Sequence, residues 1–214
     1  MSNIRDLWYD WIGINTWLFK QINSLSDLPV YSTIIKIISA LGDKKLLPFM
    51  LGAIIIFAVA SVIVRITIKK GGNKNYIFTW FTIALMIASG LYATNYTTDY
   101  IKSHGSYPRP YVTLHANEVR LLETLPEEEA YRSFPSDSII IITILVFALW
   151  PIMSENFRWA GILLIFFVGW SRIAMGVHYP MDVISGFAIA FIEMMFIRYI
   201  LYGIIRSIRL ALKI

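Results

Sequence analysis

Charge-free apolar runs alternate with short polar clusters along most of this chain. Residues 46–64 carry no charge and are followed by Arg65, Lys69, Lys70 and Lys74. Residues 75–98 and 138–154 are also uncharged. Residues 159–176 are apolar but for Arg172, and 183–205 are interrupted only by Glu193 and Arg198. A helix needs roughly 17–25 residues to cross about 30 Å of hydrocarbon, so each run predicts a membrane span. Residues 28–41 form a shorter apolar run broken by Lys36. That run reads either as a sixth span or as a helix lying in the interface. The segment before it, with Trp8, Trp11, Trp17 and Phe19, predicts an amphipathic stretch at headgroup level over residues 1–27. The expected fold class is all-α: a polytopic membrane bundle of six transmembrane helices, or five plus an interfacial one. It forms a single domain over residues 1–214.

Composition agrees with the pattern. Hydrophobic residues make up 57% of the 214 positions and charged residues 15%, too few charges to cover a soluble domain. The 13 Phe, 12 Tyr and 7 Trp suit a bilayer protein with interfacial belts. No cysteine is present, which excludes disulfides and thiolate metal sites. The net charge of +5 comes from basic residues beside apolar runs, which points to membrane anchoring and away from nucleic acid. The N-terminus lacks the basic, apolar and small-residue regions of a signal peptide, so the first span is expected to direct insertion and remain. Alternation places the Lys69–Lys74 loop, the link at Arg158 and the tail with Arg206, Arg209 and Lys213 on one side. The positive-inside rule makes that side cytoplasmic and puts the 99–137 loop outside.

Polar residues gather in clusters at Lys102–Pro110, Phe134–Ser138 and Ser171–Asp182. The same alternation brings all of them to the outer face. Together they have the composition of an anion site. Lys102, Arg109 and Arg172 supply positive charge, and arginine offers a planar fork suited to phosphate oxygens. Ser136 stands at the expected start of a helix, where free N–H groups favour an anion. The four-residue spacing of His178 and Asp182 allows the carboxylate to hold the imidazole in one tautomer. Taken singly, basic residues at span ends are usually headgroup anchors, and a Pro-Ser pair is often a helix cap. Their joint occurrence at one face is what marks a site.

The clusters resemble the tripartite signature of the type-2 phosphatidic acid phosphatase (PAP2) superfamily. That signature runs Lys, six residues, Arg-Pro; then Pro-Ser-Gly-His; then Ser-Arg, five residues, His, three residues, Asp. Lys102, Arg109, Pro110, Ser171, Arg172, His178 and Asp182 match it. The pattern of Asn15, Leu18, Phe19, Ile22 and Asn23, with Phe-Pro-Ser-Asp at 134–137, resembles small bacterial members acting on undecaprenyl diphosphate. The resemblance implies a six-helix core in the bacterial inner membrane with its site facing the periplasm. It also implies metal-independent phosphoryl transfer to His178, with Asp182 orienting it. Lys102, Arg109, Ser136 and Arg172 then hold the phosphate oxygens, and no cofactor is called for. The expected partners are a membrane lipid phosphate and the bilayer, with no nucleic acid.

The middle motif departs from the pattern. Asp137 stands for Gly, and Ser138 stands for the His that protonates the leaving group. Serine cannot protonate an alkoxide near neutral pH, so the resemblance implies an impaired form. His104, Asp137 and Ser171 are candidate auxiliary residues, with His104 or Asp137 as a replacement acid; His115 in the outer loop is the remaining histidine. Glu193, deep in the last span, is expected to pair with Lys36 or Arg198. Alternatives to a phosphatase are a lipid phosphotransferase, a non-catalytic lipid-phosphate binder, and a transporter.

Overall fold

The computed structural model describes residues 8–69 and 74–212, with side chains at 8–67 and 76–207. The basic positions Lys70 and Lys213, and the side chains of Lys69, Lys74 and Arg209, on which the expected orientation draws, lie outside the described residues, as do residues 1–7 of the interfacial segment. The described helices are α1 (Ile14–Ser24), α2 (Pro29–Ala40), α3 (Leu47–Lys69), α4 (Lys74–His104), α5 (Pro110–Thr113), α6 (Asp137–Leu149), α7 (Glu155–Ala174) and α8 (Pro180–Leu212). This is an all-α membrane bundle, and no β-strand occurs among the described residues.

The centre of the bundle is α6. Its run of Ile139, Ile140, Ile141 and Ile142 is apolar on every side, as a helix surrounded by others must be. Every residue from Ser138 to Ala148 is buried. Helices α4, α7 and α8 pack around it. Gly186 sets how closely α8 approaches, because a Cβ there would lie 2.8 Å from the Ser136 carbonyl oxygen. The outward faces of the surrounding helices are apolar, with Phe49 and Ile56 on α3 and Phe196 on α8 well exposed. In a bilayer these are lipid-facing surfaces.

Helices α3, α4, α7 and α8 are long and apolar enough to cross a membrane, and α6 with the turn after it makes a shorter apolar helix over Asp137–Ile152. The 12 residues of α2 span only about 18 Å. Both ends of α2 sit at the same end of the bundle. Before it, Asn23 and Ser26 donate to the Ala174 carbonyl at 2.8 Å. After it, Gly42 lies against Ser138 and Val168. A helix that begins and ends at one face does not cross. Of the two expected arrangements, the placement of α2 across the end of α7 favours the interfacial one.

The N-terminal segment does more than lie at an interface. Its buried residues, Asn15, Phe19, Ile22 and Asn23, face the loops around the polar clusters. Asn15 accepts from the Met181 amide at 2.9 Å, and Asn23 accepts from the Arg120 amide at 2.7 Å. Arg120 is also paired with Asp27. The connection from α4 to α6 is ordered by its own backbone bonds, Tyr107 N–H to Tyr131 O and Arg109 N–H to Ala130 O, both 2.9 Å.

Candidate active site

The polar clusters meet at one end of the bundle, as the alternation of spans predicts. Arg109 ends the extended stretch after α4, Ser136 caps α6, Arg172 lies in the last turn of α7, and His178 sits in the short link to α8. A cavity of about 300 Å³ opens between them, lined by Arg109, Asp137, Ser138, Arg172 and His178, with Lys44, Lys45, Glu123 and Glu129 also on its walls.

His178 is held from both sides. Nη1 of Arg109 is 3.2 Å from its Nε2, and Oδ2 of Asp182 is 3.4 Å from its Nδ1. An arginine has only donors, so Nε2 must be the acceptor and the ring proton sits on Nδ1. Burial, reinforced by the Arg109 charge, pushes the imidazole pKa down to about 3 against the opposing pull of Asp182. His178 is therefore a neutral imidazole at physiological pH, and its bond to Asp182 is a hydrogen bond to a carboxylate rather than an ion pair. A neutral ring with an unprotonated Nε2 is the nucleophilic form.

Asp182 is fully buried and saturated with donors. Tyr9 Oη donates at 2.7 Å, Ser133 Oγ at 2.5 Å and the Tyr179 amide at 2.8 Å. Its own carbonyl accepts the Ser136 amide at 3.1 Å, tying the start of α8 to the start of α6. Burial raises the pKa of Tyr179, next to His178, so that phenol stays neutral too.

Arg109, Arg172, Lys102 and Lys44 each carry an acidic partner. Arg109 bonds the Glu129 carboxylate at 3.1 Å and its carbonyl at 2.8 Å. Arg172 bonds Glu123 at 2.8 Å and Ser39 at 2.7 Å. Lys102 and Lys44 both reach the same Asp137 oxygen, at 2.7 and 2.8 Å. Lys102 stands behind Asp137 and does not itself line the cavity. Two buried polar atoms beside it have no protein partner: Ser136 Oγ and Arg172 Nε. Both can donate a hydrogen bond, so the chemistry left open there is that of an acceptor-rich anion.

Several expected residues lie elsewhere. His104 does not join the site: its ring is exposed, stacked on Tyr100 with centroids 4.2 Å apart, and its Nδ1 is 2.9 Å from the Tyr100 carbonyl. It sits on the outer side of the end of α4, so it is not positioned as a replacement acid. His115 is exposed beside Glu118. Ser171 is buried and donates back to the Val168 carbonyl at 2.6 Å, an internal helix bond. Glu193 pairs with neither Lys36 nor Arg198 among the described contacts. Thr97 donates to it at 2.7 Å, while Arg198 caps the end of α6 through the Phe147 carbonyl at 3.1 Å. Among the described residues no group of three or more metal-ligating side chains is gathered.

Sequence reasoning missed Lys44, Ser133, Tyr9, Glu123 and Glu129. Lys44 had a readable signal, since it opens a span whose start falls at the site face. Tyr9 and Ser133 had none, being 173 and 49 residues from the aspartate they hold.

The geometry has parallels in known proteins. The model of the PAP2 superfamily matches residues 79–206. The Bacitracin transport permease protein BcrC of Bacillus licheniformis is 35% identical over 94 residues, a stretch covering 44% of this chain and only 43% of that protein's length. The crystal structure of Aquifex aeolicus LpxE superposes with a TM-score of 0.64 at 24% identity, over 87% of this chain and 96% of that one. The crystal structure of the first transmembrane PAP2 type phosphatidylglycerolphosphate phosphatase from Bacillus subtilis superposes with a TM-score of 0.60 at 16% identity, over 90% and 88%. At these identities the superpositions establish a shared fold.

Proposed function

This chain belongs to the PAP2 superfamily, and on that premise we propose that it is a lipid phosphate or diphosphate phosphatase of the bacterial inner membrane, with its site at the periplasmic face. The observation that carries this reading is the neutral, clamped His178 with its Nε2 at the wall of a cation-lined cavity. Nε2 attacks phosphorus while the P–O bond to the leaving oxygen breaks, its electron pair departing on that oxygen with the lipid, and Asp182 stabilises the positive charge that develops on the ring. Arg109, Arg172, the Ser136 hydroxyl and Lys102, once released from Asp137, hold the equatorial oxygens, whose charge rearranges in the transition state. Water then adds to phosphorus, the P–N bond breaks with its electron pair returning to Nε2, and both water protons leave on dihydrogen phosphate.

Residues 1–214 act as one domain in this reading, because Tyr9 and Asn15 support the same loop that carries His178 and Asp182. Ser138 lines the cavity at the position of the family's acid. Losing a general acid costs on the order of 10²–10⁴-fold, so the form with serine is impaired, least with a leaving group that needs no proton. A diphosphate, which departs as a phosphate, is such a substrate.

The name of the Bacillus licheniformis relative raises transport as a second reading. The charged residues lining the cavity gather at one end of the bundle instead of at mid-membrane, which favours an enzyme. Phosphate release from a panel of lipid monophosphates and diphosphates, run with serine and with histidine at position 138, tests the proposal. Release that rises with Ser138→His is expected. Label passing to a second lipid in place of water would make it a phosphotransferase, and no release by either form on any lipid would leave a binding protein.

A further inference from the structure

Two cavities meet at Lys44. The first is the cavity of His178, Arg109 and Arg172. The second, about 320 Å³, lies between the start of α3, α4 and α6 and is lined by Leu47, Leu91, Ile140 and Thr94 among others. Lys44 and Asp137 belong to the walls of both. Lys44 and Lys102 share one carboxylate oxygen, but the Lys44 side chain is 62% exposed where that of Lys102 is 4% exposed. One carboxylate facing two ammonium groups leaves a net positive charge at the junction. Lys44 is the partner free to move.

An in-line displacement fixes which side of the phosphorus the leaving oxygen occupies. It must point away from His178. Past Lys44 and Asp137, which line both cavities, the first cavity continues into the apolar wall of the second, so an amphiphile whose chain lies between α3 and α4 leaves across Lys44. Position 138, the next residue after Asp137, has no group to protonate that oxygen.

We infer that Lys44 is the leaving-group residue of this site: its ammonium passes from Asp137 to the non-transferred phosphate of a lipid diphosphate whose hydrocarbon chain occupies the groove of Leu47, Leu91 and Ile140. This rests on the phosphatase reading above and deepens it. The step balances without a proton. Nε2 of His178 forms a bond to the terminal phosphorus, and the P–O bond to the bridging oxygen breaks. The electron pair stays on that oxygen as lipid monophosphate, whose added charge Lys44 neutralises. A phosphomonoester has a second pKa of about 6 and needs only charge compensation near neutral pH. An alkoxide needs the proton itself, which Lys44 held as a counter-ion does not replace.

The test is a double-mutant comparison on farnesyl diphosphate and farnesyl monophosphate in detergent, with Lys44→Met and Lys44→Arg made in the parent and in the Ser138→His form. Lys44→Met is expected to lower diphosphate turnover in the parent by roughly 10²-fold, a loss about tenfold or more greater than in the Ser138→His form. Lys44→Arg is expected to restore most of it, and the diphosphate-to-monophosphate rate ratio of the parent should fall with Lys44→Met. Equal losses in both backgrounds, or an unchanged ratio, would overturn the role assigned to Lys44 while leaving the phosphatase standing. No turnover in any form, the Ser138→His form included, would instead remove the phosphatase reading and this inference with it.

Discussion

Nη1 of Arg109 stands 3.2 Å from Nε2 of His178, so the guanidinium donates to that ring nitrogen and fixes the tautomer of the imidazole. Burial, with the guanidinium beside it, keeps the ring neutral, at a pKa of about 3 against 6.5 for an ordinary histidine.

That relationship sets a pH dependence. Between its native and unfolded values, position 178 binds fewer protons in the folded chain than in the unfolded one. Its contribution to stability is present above the unfolded value and is lost as pH falls through that window. In NMR spectra the His178 ring signals should stay at the neutral position from about pH 8 to about pH 5. Arg109→Met should raise the midpoint. A parent midpoint at 6.5 would contradict the arrangement.

Asp182 is expected to work only while it is clamped. Ser133→Ala and Tyr9→Phe each remove one donor to its carboxylate. Each should lower kcat roughly five- to tenfold with little change in KM, corresponding to about 1 kcal/mol of lost orientation. Unchanged kcat in Tyr9→Phe would show that the N-terminal segment only covers the site.

Much of this was legible in the sequence. Apolar runs locate the spans, and motif spacing together with alternation brings Arg109, Arg172 and His178 to one cavity. The length of α2 was ambiguous because a run of 28–41 with one lysine fits either a tilted span or an interfacial helix. Only its two ends, at Ser26 and Gly42, show that it returns to the same face. The acidic partners Glu123 and Glu129 could not be assigned, because nothing local says which way an outer loop folds back. His104 was misplaced for a related reason. It lies within the first motif, but the turn of α4 points it at Tyr100 and away from the cavity.

The proposed orientation can be tested on the same topology. Asn117 is exposed in the loop on the site side, and Ser154 is exposed before α7 at the opposite end. In intact cells a membrane-impermeant thiol reagent should label Asn117→Cys and spare Ser154→Cys. Labelling of the second alone would turn the protein over and place the site in the cytoplasm.

The covalent role proposed for His178 admits the most direct measurement. Acid-labile, alkali-stable label should appear on the protein after brief mixing with a lipid diphosphate labelled in its terminal phosphate. Slow turnover in the serine form should favour its accumulation. His178→Ala should abolish both label and phosphate release. Phosphate released at parental rates by His178→Ala would contradict the account.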